Sequence, residues 1–274
     1  SSLGDDAARA MGARVGGRWS GTWGDVGLFS LDKGKNVSAI DGGILVTNDS
    51  DLAHAIEARV AGSAAVPIAA TLGHVAKAVA YSLLLRPWLY GVPARIPQLE
   101  LGKTVYTTEY PLAVADPALA ALAGVMLRKL DAFTTARVAN ARALLAALSA
   151  SPGITCIAVP PDASAVYLRL PLLMPDAATR ARVIAALTAQ GIGATASYPG
   201  SLVDIDALRD HIDVSVCADG GREVAARILT LPTHPFVTAT DIARMAAVVS
   251  EAIGGGQRGR HTGTEARPST ACVD

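Results

Sequence analysis

Apolar and polar positions come in short blocks near the start of the chain and then settle into helical periods. Val26–Ser30 and Gly43–Thr47 are short apolar runs bounded by glycine and aspartate, and they read as strands. Asp49 or Ser50 can cap a helix that places Leu52, Ile56 and Val60 on one face. A third block, about 70–85, reads as a buried helix. Its most apolar part, Ala78–Leu85, is about half the length a membrane crossing needs, and Lys77 and Arg86 bound it. Contact with a membrane surface is the alternative reading of that block.

Asp116-Pro117 joins a capping carboxylate to a proline at the first helical position. Leu119, Leu122, Met126, Leu130, Phe133 and Leu144 then keep a helical spacing, which predicts one long helix stopped by Ser151-Pro152-Gly153. Strands are expected over Ile154–Val159, Val166–Leu170, Ile192–Ala196 and Ile228–Leu231. A helix from Asp176, ended by Gly191, lies among them, and a last helix runs from Asp241 to Ile253. Residues 254–274 are polar and rich in glycine and are expected to be disordered.

Composition narrows the function classes. The chain has 274 residues, 51% of them hydrophobic, enough for one or two packed domains and incompatible with disorder throughout. Lys+Arg and Asp+Glu are 24 each, so no basic footprint points to nucleic acid or to an anionic membrane. Cys156, Cys217 and Cys272 are odd in number and lack metal-ligand spacing, which favours a reducing cytoplasm over a disulfide scaffold, and no metal site is expected. Ser1-Ser2-Leu3-Gly4 has neither the basic nor the apolar region of a signal peptide and reads as an entry point into a folded domain.

Lysine is scarce, five against nineteen arginines, yet Lys33 and Lys35 share one loop, Phe29-Ser30-Leu31-Asp32-Lys33-Gly34-Lys35-Asn36. A hydroxyl and a lysine after a strand, with glycine to relax the backbone, can cradle a phosphate, although the Walker spacing is missing. Four elements surround that loop in order: Asp5-Asp6-Ala7-Ala8-Arg9, Gly24-Asp25-Val26-Gly27-Leu28-Phe29-Ser30, Lys35 five residues after Ser30, and Asp41-Gly42-Gly43 leading into Val46-Thr47-Asn48. The series resembles the DegT–StrS family of pyridoxal-phosphate-dependent sugar aminotransferases. Weaker likeness continues through Gly191-Ile192-Gly193-Ala194, Ser197-Tyr198-Pro199 and Leu231-Pro232-Thr233-His234-Pro235.

The resemblance implies an α/β chain of the fold-type-I, aspartate-aminotransferase-like class, with an incomplete large domain over 1–115 and a connecting helix and small α/β domain over 116–253. It implies that Lys35 joins pyridoxal phosphate covalently and relays the proton, that Ser30 binds the cofactor phosphate, and that Asp6 pairs with the pyridinium nitrogen. Lys33 is the rival of Lys35, and Asp5 that of Asp6. Arg9 stands where the family has Gln or His against the cofactor, so its guanidinium either alters the ring's electronics or points elsewhere. The family's G-x-N-x-R signature should fall near Gly102–Thr107, where neither the Asn nor the Arg is present.

The implied partners are a nucleotide-linked keto-sugar and an amino-acid donor such as glutamate, in a cytoplasmic homodimer that serves polysaccharide or related sugar biosynthesis. Lys35 argues against the dehydratase branch, which lacks the lysine. The family carries a long portion ahead of Asp6, including the strand that delivers it, for which Ser1–Gly4 is too short and polar. The chain is therefore expected to be impaired alone, and a non-catalytic remnant or interaction subunit is the alternative. His54, His74, His211 and His234 read as surface, packing or turn residues and Trp19, Trp23 and Trp88 as packing residues, with substrate contact the minority reading of Tyr198.

Overall fold

The computed structural model describes residues 3–63, 66–84, 113–198, 200–213 and 217–257. Strand β1 (Gly4–Asp6) lies parallel to β4 (Val26–Ser30), with Gly4 opposite Val26 and Asp6 opposite Leu28. Strand β5 (Gly43–Val46) closes the sheet antiparallel to β4. A strand does therefore deliver Asp6, contrary to the expectation from the polar start of the chain. Backbone pairing and two carboxylates hold it rather than apolar side chains. Asp25 accepts from the Leu3 amide at 2.7 Å. Asp5 Oδ2 accepts from the Gly21 and Trp23 amides at 2.8 and 3.0 Å.

Two glycines make this approach possible. A Cβ on Gly24 would sit 2.3 Å from the Leu3 carbonyl oxygen, and one on Gly27 would sit 1.8 Å from the Gly21 oxygen. The Gly24-Asp25-Val26-Gly27 run is thus a packing seam in which a side chain has no room. Between β1 and β4 the chain forms a hairpin that the hydrophobic pattern did not announce. Its strands β2 (Arg14–Val15) and β3 (Arg18–Trp19) turn at Gly16 and Gly17, both at positive φ. β7 (Ala163–Ser164), far along the chain, pairs with β2 and ties the two halves together.

Helix α1 (Ser50–Ala61) is capped by Asp49, whose carboxylate accepts from the Asp51 and Leu52 amides. Helix α2 (Ile68–Leu84) docks on α3 (Pro117–Leu127), where His74 Nδ1 and Asp116 Oδ2 lie 2.9 Å apart. The expectation that α2 is buried fails. Ile68, Leu72, Val75, Val79 and Leu83 form an exposed stripe, with Ile68 80% accessible among the described residues. The long helix expected after Asp116 is two helices, α3 and α4 (Leu130–Leu148), separated at Arg128-Lys129. The break lets each half serve a different core. Leu119 and Ala123 pack with Leu31, Val37 and Ala39, whereas Ala141, Leu144 and Leu148 enter the second core.

That second core is a sheet of β6 (Thr155–Cys156), β8 (Leu170–Leu173) and β9 (Ile228–Leu231) against α4, α5 (Ala177–Ala189) and α7 (Ala239–Gln257). Asp176 caps α5 through the Thr179 amide, and Gly191 follows it at positive φ. The strand expected at Val166–Leu170 starts only at Leu170. Tyr167 adopts a φ of 45°, and side chains satisfy the backbone there: Thr233 Oγ1 donates to the Tyr167 oxygen at 2.6 Å and Arg137 to the Leu168 oxygen at 2.8 Å. Ile192–Ala196 reduces to one bridge, Thr195 to Thr230. Helix α6 (Asp219–Arg227) has no counterpart in the sequence reading. Helix α7 continues through Gly254 to Gln257, past the expected start of the disordered tail, and 258–274 lie outside the described residues.

Two substitutions separate the seam from the core. Leu229→Ala at a fully buried position is expected to cost about 3 kcal/mol in urea unfolding. Gly27→Ala is expected to cost at least about 2 kcal/mol by overpacking. A Gly27→Ala chain as stable as the parent in the same measurement would remove the seam from this account.

Candidate active site

Ser30 ends β4, and the loop that follows is built inward. The Leu31 amide donates to the Gly42 oxygen at 2.9 Å and the Ala39 amide to the Leu31 oxygen at 2.8 Å. Leu31, Val37 and Ala39 are buried under α3. Buried Asn36 donates through Nδ2 to the Met11 oxygen at 3.2 Å. Inside this frame Asp32–Lys35 make a turn in which the Lys35 amide reaches the Asp32 oxygen and Gly34 takes a φ of 81°. The buried Asn36-Val37 pair anchors the backbone beside Lys35, whose side chain is half-buried, while Lys33 stays exposed. The two lysines part company: Lys33 Nζ lies 5.5 Å from the centre of the Tyr81 ring on α2.

Burial, and next to it the charge of Arg9, lowers the Lys35 pKa from its ordinary value, against the opposing pull of Asp32 and Asp6. Lys35, Arg9, Asp6 and Asp32 therefore share one electrostatic neighbourhood. Among the described residues Lys35 Nζ has neither a hydrogen-bond nor an ion-pair partner. Asp6 is exposed and spends one oxygen, Oδ1, on the Ala8 amide at 3.0 Å. Asp5, its rival, is occupied by the seam. Ser30 Oγ accepts from the Asp32 amide at 3.3 Å, which leaves its hydroxyl hydrogen to donate.

Arg9 is bonded to a phenol and not to a carboxylate among the described residues. Its Nη1 donates to the Tyr198 hydroxyl at 2.9 Å, with the guanidinium carbon 5.7 Å from that ring's centre. The Tyr198 loop is fixed by Ser197, at a φ of 63°, whose hydroxyl bonds Thr230 Oγ1. Arg9 and Tyr198 stand at the edge of a cavity of about 400 Å³ walled by Val166, Leu168, Pro171 and Ile228. Arg169 also lines it, bonding Thr230 Oγ1 at 2.8 Å and the Thr230 oxygen at 3.0 Å.

The structure thus brings Asp6, Arg9 and Lys35 into one neighbourhood, with Ser30 at the base of the Lys35 loop. It adds Tyr198 as the partner of Arg9. Arg169 was missed by the sequence reading, because nothing in its local sequence distinguishes it from other surface arginines. Buried Arg137, lowered by desolvation to about 10, was missed for the same reason and serves as a backbone clamp. His54 is exposed, and Trp19 and Trp23 stack under Arg14 and Arg18. Trp88 and the segment of the expected G-x-N-x-R signature lie outside the described residues. Among the described residues no three His, Cys, Asp or Glu form a metal cluster, and no helix is long and apolar enough to cross a membrane.

The donor set fits an aldehyde-bearing, phosphorylated pyridine. An unpaired, half-buried amine, a carboxylate with a spare oxygen and a hydroxyl free to donate are what such a group requires. The fold is of the same class, fold type I of the pyridoxal-phosphate-dependent transferases. The chain belongs to the DegT/DnrJ/EryC1/StrS aminotransferase family, whose sequence model matches residues 2–82 and 116–250.

The aminotransferase TlmJ from Streptoalloteichus hindustanus superposes with a TM-score of 0.66 at 23% identity, over 93% of this chain and 59% of its own. DesI, solved with its TDP-sugar product, superposes with a TM-score of 0.67 at 23% identity, over 95% and 58%. A UDP-N-acetyl-3-dehydro-alpha-D-glucosamine 3-aminotransferase of Acidithiobacillus ferrooxidans is 45% identical over 49 residues, 18% of this chain and 13% of that protein. The chain therefore spans under two thirds of the length of the relatives it matches.

The electrostatics predict selective labelling. The acylation rate of Lys35, followed residue by residue by mass spectrometry, should reach half its maximum at a pH below that of lysine in an unstructured peptide, about 10.4. Amine is the reactive form, so a lowered pKa moves the midpoint down. A midpoint at or above the peptide value would contradict the site described.

Proposed function

We propose that this chain carries the reactive lysine of a pyridoxal-phosphate-dependent aminotransferase, and that the enzyme moves an amino group from an amino acid, glutamate as the proposed donor, to a keto-sugar linked to a nucleotide. The observation that carries the proposal is the Lys35 amine, half-buried and unpaired among the described residues, in the same electrostatic neighbourhood as Asp6. A lowered pKa gives more neutral amine at working pH, which is what a nucleophile and proton carrier needs. Pyridoxal phosphate, when bound, supplies a ring that withdraws electrons from the carbon bearing the transferred nitrogen.

The chain's own residues do the rest. Lys35 would hold the aldehyde end of the cofactor, and its Nζ, as a neutral amine, would take up and return the proton that the transfer moves. Asp6 would hold the ring nitrogen in its protonated form, and its remaining oxygen is available for that. Ser30 would donate to the phosphate from the same loop that carries Lys35. The working form in this reading is a cytoplasmic homodimer active in surface-polysaccharide or related sugar biosynthesis. Membership of the sugar aminotransferase family supports the substrate class.

Borohydride treatment of the chain with pyridoxal phosphate should fix one pyridoxyl group on Lys35, found by peptide mapping. Lys33→Ala should keep the label and Lys35→Ala should lose it. Asp6→Asn should retain labelling while lowering transamination by about 100-fold or more. Label on Lys33, or none on an intact full-length protein, would favour the non-catalytic reading.

A further inference from the structure

The Arg9 guanidinium is one feature that the proposed chemistry leaves unexplained. It belongs to two places at once: it lines the 400 Å³ cavity, and it is the charged group that most strongly opposes protonation of Lys35. Lys35, Asp6 and Ser30 do not line that cavity. Arg9 makes no ion pair among the described residues, although Asp6 and Asp32 share its neighbourhood. One of its five N–H groups goes to the Tyr198 hydroxyl, and the side chain is exposed.

An arginine used only for packing would be expected to lie along a carboxylate or a row of carbonyls, as Arg137 and Arg169 do with the Leu168, Thr230 and Gly193 oxygens. Arg9 instead is braced at its tip by a phenol. That phenol lines the cavity on a loop anchored on Thr230. The brace lowers the entropy the guanidinium loses on binding and leaves the remaining donors free. Val166, Leu168, Pro171 and Ile228 give the cavity an aliphatic wall, beside the polar groups of Arg169, Ser197 and Thr230, and that wall suits the uncharged body of a ligand.

We propose that Arg9, braced by Tyr198, binds an oxyanion of one of the reactants, a carboxylate or a phosphate, at the mouth of this cavity. The inference rests on the aminotransferase reading and deepens it, because it assigns a reactant-binding role to the residue that replaces the family's Gln or His. Two sources supply such an anion: the carboxylate of the amino-acid donor and the diphosphate of the nucleotide. A fork of guanidinium donors suits both.

Calorimetric titration of the chain with glutamate and, separately, with UDP tells the sources apart. Arg9→Gln should weaken one of the two ligands by about tenfold or more. Arg9→Lys should recover part of the loss, and Tyr198→Phe should weaken the same ligand by a smaller factor. A response to glutamate alone identifies the carboxylate, and a response to UDP alone the diphosphate. The inference is overturned if the parent chain binds neither, or if Arg9→Gln binds both as the parent does. Borohydride labelling of Lys35 in the same variants keeps this outcome separate from the enzymatic reading. Labelling that survives Arg9→Gln with unchanged titrations sinks the oxyanion role alone, and labelling absent from the parent sinks the aminotransferase reading. Labelling lost only in Arg9→Gln places Arg9 on the cofactor and also overturns the oxyanion role.

Discussion

The parallel pairing of Gly4–Asp6 with Val26–Ser30 is the constraint on which the candidate site depends. It sets Asp6 opposite Leu28, two residues before Ser30 and a short loop before Lys35, so that a carboxylate from one stretch of chain and a hydroxyl and an amine from another share one sheet end. The pairing is short and exposed, and it depends on two carboxylates and on Gly24 and Gly27. The Asp5 and Asp25 carboxylates collect amides from neighbouring loops, and Gly27 lets the Gly21 backbone cross the strand with no side chain between. Asp5 and Asp25 of the sequence signature are therefore mechanical.

The two cores divide the labour. The large apolar cluster under β8 and β9 is a layer of helix on sheet, with Leu144, Leu172, Leu187, Leu229 and Leu231 fully buried. The smaller one exists to seat the Lys35 loop, since Leu31, Val37 and Ala39 on either side of that lysine are its members, with Leu119 and Ala123 of α3. Breaking the helix at Arg128-Lys129 is what lets one continuous stretch of chain serve both. Burying the loop on either side of Lys35 also partly desolvates the amine, so the packing that places the lysine is the packing that depresses its protonation.

Local signals were legible where one residue acts on its own neighbours. Asp49, Asp116 and Asp176 cap the helices that follow them, Gly191 ends one, and Ile228–Leu231 is a strand of four buried residues. The signals failed where backbone needs are met at a distance. Tyr167 and Leu168 look like strand residues by composition, yet Thr233 and Arg137 take over their carbonyls and the strand starts later. Gly4–Asp6 looks like loop, and β4 makes it a strand. α2 has the composition of a buried helix but turns its apolar stripe outward, because composition records how apolar a helix is and not what lies beside it.

What the sequence determined by itself was the set of chemical groups and their order: two acids, a glycine-aspartate seam, a serine and a lysine five residues later. Those spacings fix which groups one turn of backbone can present together. Only the tertiary structure decided which member of each pair is available. Asp5 is spent on amides from sixteen and eighteen residues away, Lys33 faces the Tyr81 ring, and Arg9 meets a tyrosine 189 residues further on. Availability depends on distance and burial, and contacts between residues so far apart in the chain leave no local mark in the order of amino acids.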